Sequence, residues 1–547
     1  VSSFPDLQAV LGDVEAELER GDPNAALALL QPVAHAIASE DGAGFRELVN
    51  RLPVEIWHRD PLIAAALGQS YRAPDAPRGS AGLAYFAAAR DSISAAPGTP
   101  AHCVAAVLVG HAGALRDNRR FAQARAVLAE AGAVIDRGLD GPLPAVMEVR
   151  ARHALERGIL DLHAGALLAA REQLLTAQGL AHSHLGRAEA VECTGALALV
   201  DFAIGDLDNA DRHARESWSI AHGSALERSG FAAPAIMVRL LLAIDRGRFD
   251  QADGREATLL GAAVATEWEP YAALVAGALR AVHGRAAEAL DLLSDARRGF
   301  LAGDGAPFGR DYTELVRAAQ LSALGRGDEA WEILARLPSY ERHLLCPGPH
   351  LASQLLIGGD LHGADAALAA CESLGDLHVQ RGLLEVRILR GAVSAGLGDQ
   401  ATSDLNVDLA FIGMARSGSR VPLRVLPEGT LSHLVESALG REHTPEVRAL
   451  LEEVHLATAG AENRIDPLSR RERLVLAEAE RGATVAAIAA ALFISPNTVK
   501  THLRRLYRKL GVSTREEAIR RARTLGLHEF TRDSPVPGRG SGRGTYG

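Results

Sequence analysis

One phrase recurs along this chain and limits what it can fold into: a glycine, a few mostly polar residues, and an alanine five positions after the glycine. It reads GDPNAA from Gly21, GALLAA from Gly165, GDLDNA from Gly205, GRFDQA from Gly247, GRAAEA from Gly284, GRGDEA from Gly325 and GDLHGA from Gly359, with a degenerate RRFAQA from Arg119. From Gly165 onward the intervals are 40, 42, 37, 41 and 34 residues. Each copy follows one apolar helical run and opens another, as in LVDFAIGDLDNADRHARESW. Glycine adopts the positive φ that ends a helix, and a small alanine lets the next helix pack closely on the last. A period of this length with this punctuation marks stacked helical hairpins. Only 4% of the residues are aromatic, and alanine and leucine dominate the apolar ones, which suits small-residue helix packing better than a β-sandwich. The expected class is all-α.

The series resembles the tetratricopeptide (TPR) class in a degenerate, longer-period form over roughly residues 15–400, and so implies an α-solenoid. RLPVEIWHRDPL, from Arg51, resembles the start of the superhelical domain of large MalT-like regulators. Around 401–460 the periodicity blurs, and the two prolines of VPLRVLPEGT, from Val421, predict a loop. TAGAENRID, from Thr458, reads as a linker, and TRDSPVPGRGSGRGTYG, from Thr531, as a disordered tail. The expected domains are a repeat region over 1–457, a linker over 458–465, a small module over 466–528 and a tail over 529–547.

Charge separates the module from the rest. The chain carries a formal −10, yet residues 466–527 carry +7 and the remaining tail +1, which leaves −18 on residues 1–465. The only two lysines, Lys500 and Lys509, both lie in the module. A local basic excess on an acidic body is an electrostatic footprint for phosphates.

Caps divide the module into four short helices. Ser469 with Glu472 predicts a capping box for a first helix that stops at Gly482. Thr484 predicts the cap of a second, VAAIAAAL. Ser495, followed by Pro496 at the first helical position, predicts a third that runs to Gly511. Ser513 with Glu516 predicts a capping box for a fourth that ends at Gly526. On a wheel of 100° per residue, Val499, Leu503, Leu506 and Leu510 fall on one stripe of the third helix. Opposite them lie Asn497, Thr501, Arg504 and Arg508, flanked by Lys500 and Arg505. A short helix bracing a second one with a cationic, hydrogen-bonding outer face suits the major groove. That groove is wide enough for one helix and demands such donors.

LSRRERLVL…IAAAL-x-IS-x-NTVKTHLRRLYRKLGV…R-x-x-AI resembles the LuxR-type DNA-binding domain of bacterial transcription regulators over about 60 residues. It departs at Ala487, where the family usually has Glu before the Ile-Ala of the second helix. The resemblance implies base contacts from Lys500, Thr501 and Arg504. It implies phosphate contacts from Ser495, Asn497, Thr498, Arg505, Arg508 and Lys509, and a dimer contact around Ile519 and Ala522. The partners it implies are double-stranded DNA, a second copy of the chain on that DNA, RNA polymerase, and an effector or protein at the repeats. The helix-turn-helix of sigma-factor region four shares a TVK run, but nothing upstream resembles other sigma regions. A protein–protein scaffold with a secondary nucleic-acid module is the alternative reading.

Neither lysine follows a glycine, so no Walker A loop exists in this sequence, and an effector-coupled ATPase would need sequence before Val1. HEXXH, GxSxG and EF-hand patterns are missing, and His182 and His184 form an isolated H-x-H. No catalytic, metal or cofactor site is expected. Cys103, Cys193, Cys346 and Cys371 stand far apart and are expected to be reduced, buried thiols. The best apolar run, FAAPAIMV from Phe231, is stopped by Arg239 and is too short to span a membrane. A soluble cytoplasmic protein of a bacterium is expected.

Overall fold

Each glycine of the recurring phrase in the described residues ends a helix in the left-handed region. In the computed structural model φ is +78° at Gly21, +83° at Gly165, +88° at Gly205, +69° at Gly247, +73° at Gly284 and +81° at Gly359. Arg119, in the degenerate copy, adopts the same conformation at +59°. Gly325 lies outside the described residues, which are 7–74, 76, 80–324, 326–338, 344–375, 378–462, 470–510 and 512–524. Several turns are closed by an aspartate after the glycine: Asp22 accepts from Ala25 N at 3.0 Å, Asp206 from Asn209 N at 3.2 Å and Asp360 from Gly363 N at 2.8 Å.

The alanines of the phrase are the tightest points of the packing. Ala26, Ala124, Ala170, Ala210, Ala252, Ala289, Ala330 and Ala364 are all completely buried. Their small size is used by the preceding helix. A Cβ at Gly158 would sit 3.2 Å from the Ala170 carbonyl oxygen, and one at Gly277 would sit 3.3 Å from that of Ala289. Both glycines precede their turn by seven residues, a second regularity of the sequence.

Among the described residues there are 29 α-helices, a few 3-10 turns and no strand. No helix is long and apolar enough to cross a membrane. The chain divides into two compact units. The first holds residues 1–347 with 376–381. Its hairpins, such as Leu143–Ala164 with Leu167–His184 and Arg187–Ile204 with Leu207–Ala221, share one large apolar core from Ala105 to Phe308. They wind back on themselves. Ala122 N donates to Asp304 at 3.1 Å and Arg125 reaches the carbonyl of Gly305 at 3.3 Å, 182 and 180 residues along the chain.

Arg116 sits where these turns meet. It is fully buried and pairs with Glu156 at 2.7 Å, Glu192 at 2.8 Å and Glu267. Arg72 joins the cluster through Asp117, and through Glu156 and Glu192 at 3.6 Å each. Burial pushes the pKa of Glu156 and of Glu192 upward. At Glu156 the two arginines outweigh it and hold the group low, whereas at Glu192 burial wins.

The second unit holds residues 348–375 and 382–547. The expected blurring of the repeats after 400 is not found. Helix Gln380–Leu397 turns at Gly398 (φ +85°) into Gln400–Ser417, and Glu428–Leu439 is followed by Pro445–Glu462. The phrase at Gly398 carries Ser403, 1% exposed, where the others carry alanine, which hides it from a search for alanine. A Cβ on Gly391, again seven residues before the turn, would lie 3.4 Å from the Ser403 carbonyl. The expected loop contains a 3-10 turn, Val421–Val425. The expected linker over 458–465 begins too early, because the last helix of the hairpins runs on to Glu462; residues 463–465 and the tail 529–547 lie outside the described residues. None of the four cysteines is in a disulfide, but only Cys193 and Cys371 are buried; Cys103 and Cys346 are half-buried.

Candidate nucleic-acid interface

The module has its own core. Val475, Leu476 and Ala479 from helix Arg470–Glu480 and Ile488 and Ala489 from Val485–Ala491 meet Val499, Leu503, Leu506 and Leu510 from Pro496–Leu510. Ala518 and Ala522 from Arg515–Thr524 complete it. The four-residue stripe read from the wheel is therefore the buried face of the third helix.

The caps hold the helices in place. Thr484 Oγ1 accepts from Ala487 N at 3.2 Å. Ser495 Oγ accepts from Thr498 N at 3.1 Å and lies 2.8 Å from Thr498 Oγ1. Between second and third helices the backbone turns through Phe493, at φ +54°, whose ring is 95% exposed. The capping box expected at Ser513 and Glu516 sits one residue further on. Glu517 accepts from the backbone N–H groups of Ser513 and Thr514, both at 3.0 Å, while Thr514 Oγ1 accepts from Glu517 N at 3.2 Å. These hydrogen bonds hold the Glu517 carboxyl below its usual pKa. Ser469, the other expected cap, lies outside the described residues. Arg515 ties the fourth helix to the first by donating to the Ala479 carbonyl at 2.5 Å.

The outer face of the third helix is bare. Ser495, Asn497, Lys500, Thr501, Arg504, Arg505 and Arg508 are exposed and Thr498 is half-exposed. The side chains of Lys500, Arg504, Arg505 and Arg508 pair with no carboxylate among the described residues. Thr501 Oγ1 donates to the Asn497 carbonyl at 3.0 Å, which leaves its lone pairs and methyl facing outward. Three guanidinium groups and one ammonium thus stand together on a helix whose N-terminal turn also faces solvent.

The profile of the bacterial regulatory proteins of the luxR family (GerE) matches residues 466–522. Residues 466–522 form a LuxR-family helix-turn-helix domain. Its sequence is 54% identical over 55 residues to the "Probable transcriptional regulatory protein NarL" of two Mycobacterium tuberculosis strains, CDC 1551 / Oshkosh and H37Rv, a match over 10% of this chain and 26% of each relative. It is 44% identical over 62 residues to the "HTH-type transcriptional regulator MalT" of Serratia proteamaculans, over 11% of this chain and 7% of that protein. The chain thus spans about a quarter or less of the length of these curated relatives. Two solved structures share 14% identity: a Rap protein complexed with competence and sporulation factor (TM-score 0.40, 57% of this chain and 98% of that one) and the APC/C hetero-tetramer Cut9-Hcn1 (0.39, 94% and 95%). At that level the hairpin fold rests on this chain's own turns and packing.

Within the LuxR domain two of the expected site residues are engaged in the fold itself. Lys509 was expected on phosphate, but its Nζ lies 2.8 Å from Glu472, a carboxylate only 2% exposed. Its side chain is thus engaged within the domain. Ala522 was expected at a dimer contact, but it is fully buried in the domain's own core, and of that pair only Ile519 remains partly exposed. The departure at Ala487 falls on an exposed position whose backbone makes the Thr484 cap, so the fold does not depend on the missing Glu. The positive φ and the exposure of Phe493 are what sequence reading missed at this turn. The signal was there, since a non-glycine residue must turn the chain between the alanine-rich second helix and the Ser495 cap.

Proposed function

We propose that this protein is a transcription regulator that binds duplex DNA through its LuxR domain, in the bacterial cytoplasm. The third helix lies in the major groove, with Lys500, Thr501 and Arg504 on base edges and Ser495, Asn497, Thr498, Arg505 and Arg508 on phosphates. The observation that carries this reading is the cluster of cationic side chains that have no carboxylate partner among the described residues, on a capped helix. Unpaired guanidinium groups suit bidentate contacts to guanine and to phosphate. A surface of this size supplies limited discrimination alone, so the domain works as a homodimer on paired half-sites. The repeat region takes an effector or protein partner that controls access to DNA, and bound regulator contacts RNA polymerase.

The test is to recover DNA from a random pool with the full chain. A shared sequence recovered by the wild type, with one position relaxed by Arg504→Ala, supports the reading. Recovery with no shared sequence, or none at moderate salt, favours the scaffold alternative.

A further inference from the structure

The charges where the turns of the first unit meet do not balance. Asp117, Glu156, Glu192 and Glu267 gather around Arg72 and Arg116, and four carboxylates against two guanidiniums leave two negative charges uncompensated. Arg152, which also acts on Glu156, brings no surplus, because Glu189 holds it at 3.1 Å. The imbalance shows at Glu192. Burial raises its pKa, Arg116 and Arg72 oppose the rise, and Glu156 and Asp117 add to it, so the group ends above the usual carboxylate range. A buried cluster of this kind is stabilising only where its charges are matched and its remaining lone pairs satisfied.

Three of these acids come together from separate elements. Asp117 ends helix Ala101–Asp117, Glu192 lies in Arg187–Ile204, and Glu267 stands in the turn before Glu269–Val282. One oxygen from each lies within 4.8 Å of the other two. All three line a cavity of about 60 Å³. Two of the lining side chains carry a buried polar atom that makes no hydrogen bond among the described residues. The first is Glu192 Oε2. Arg116 takes the other oxygen of Glu192 at 2.8 Å, while Arg72 Nη2 stands 3.6 Å from this one. The second is Nε1 of Trp268, a side chain only 1% exposed. Buried polar atoms are normally satisfied, by protein, water or an ion. At about 10–15 Å³ for each water-sized occupant, the cavity takes an ion with a few waters and excludes an organic cation.

We propose that Asp117, Glu192 and Glu267 hold a calcium ion. The occupant has to bring two positive charges, be small and prefer oxygen donors, which describes a hard divalent cation. Calcium binds oxygen at about 2.3–2.6 Å, so two of its ligands stand up to about 5 Å apart, a span the three carboxylates meet. Magnesium, at about 2.0–2.1 Å, needs its ligands within about 4 Å and in near-octahedral order. Water fills the rest of the calcium shell, and a bound water offers the Trp268 N–H an acceptor. The ion ties together the same three elements that Arg116 joins, so its role is to fix how the hairpins of the first unit meet.

The test is to strip the full chain with EDTA and titrate it with Ca²⁺ and with Mg²⁺ at constant ionic strength, by calorimetry and thermal unfolding. One Ca²⁺ per chain is expected, bound about tenfold more tightly than Mg²⁺ and raising the unfolding temperature. Tb³⁺ in place of Ca²⁺ should emit when excited through tryptophan, and Trp268→Phe should remove that emission. Glu192→Gln and Asp117→Asn should each weaken Ca²⁺ binding about tenfold or more, while Glu130→Gln, at an exposed acid of the same unit, leaves it unchanged. Glu192→Gln should also raise the unfolding temperature of the stripped chain, because it removes an uncompensated charge, and should cancel the further rise with Ca²⁺. A merely structural glutamate would give a loss in both states. No Ca²⁺ binding at millimolar concentration, Mg²⁺ bound as tightly, or binding indifferent to both Glu192→Gln and Asp117→Asn overturns the assignment. So does a thermal shift that sodium chloride reproduces at equal ionic strength, which would mean that the cavity holds water alone.

Discussion

Arg116 and Arg504 are the same side chain in opposite circumstances. Arg116 is fully buried and shared among three glutamates drawn from distant hairpins, whereas Arg504 is exposed and pairs with no carboxylate among the described residues. A buried guanidinium that satisfies several carboxylates is spent on fixing how the turns meet. An exposed one on a rigid helix is a donor held ready for something outside the molecule. Net charge hides this difference. The acidic surplus of residues 1–465 is partly internal, since Glu156, Glu192 and Glu267 are all nearly fully buried. What distinguishes the LuxR domain is that Lys500, Arg504, Arg505 and Arg508 on the outer face of its third helix have no carboxylate partner among the described residues.

The sharpest break of the comparison is to remove both arginines in the same way. Arg116→Met leaves Glu156, Glu192 and Glu267 buried without their main partner and should cost roughly 3–5 kcal/mol of stability. Arg504→Met should leave stability within about 0.5 kcal/mol of wild type, as surface changes usually do, and should weaken specific DNA binding and relax one position of the site. Denaturant titration and gel-shift assays on both variants read this directly. A stable Arg116→Met chain would mean that the buried cluster is not what holds the turns together.

Neighbouring residues sharpen it within the domain. Lys509→Met should destabilise the LuxR domain by about 1–3 kcal/mol, because it removes the ion pair of the buried Glu472. Arg508→Ala should leave the fold intact, weaken binding to every duplex alike and lower the salt slope by about 1. Lys500→Ala or Arg504→Ala should cost about 1–3 kcal/mol of binding and relax one position of the site. If Lys509→Met instead behaves like Arg508→Ala, the ion pair with Glu472 carries no structural weight.

Much of this was legible in the sequence, for local reasons. Helix ends are set by residues within a turn of the end, so Gly21, Gly165, Gly205, Gly247, Gly284 and Gly359 announced their turns and Ser495 and Thr484 their caps. The apolar stripe of the third helix was equally local. What was not legible depends on contacts far apart in sequence. Lys509 looks like its neighbour Arg508 until the fold brings Glu472 alongside, 37 residues away. Ala522 looks like an available apolar residue until the first three helices close over it. The charge cluster at Arg116 and the cavity beside it join residues that no window of sequence holds together. The repeat at Gly398 failed for a smaller reason: Ser403 satisfies the same steric demand as alanine.

The turn glycines allow a milder test on the repeat side. At Gly284 nothing lies within 4 Å of the position a Cβ would take, so substitution there adds backbone strain and no clash. Gly284→Ala should therefore cost only about 1–2 kcal/mol, the penalty of a left-handed L-residue. Arg119 already bears that penalty in the degenerate copy, at φ +59°, so Arg119→Gly should stabilise the chain. Opposite signs for these two changes, read by thermal unfolding, would confirm that the glycine acts through its backbone alone.

The smallest expected effect concerns the two regions acting on each other through charge. Residues 1–465 carry a formal −18 and residues 466–527 carry +7. Whatever part of that negative charge lies at the surface repels a duplex brought up to the recognition helix. The fragment 460–547 should then bind DNA more tightly than the full chain without effector, by about 1 kcal/mol at low salt, where charges separated by tens of ångströms still interact. The gap should shrink as salt rises, because at about 0.15 M the screening length falls to about 8 Å and only charges close to the DNA still matter. The sign is specific to this cause. A repeat region that blocked the helix by direct contact would keep the gap at every salt concentration, and one that aided binding through dimerisation would reverse it. Binding isotherms of fragment and full chain on one duplex across a salt series distinguish the three, and a full chain that matches the fragment throughout would remove long-range charge from the regulatory scheme.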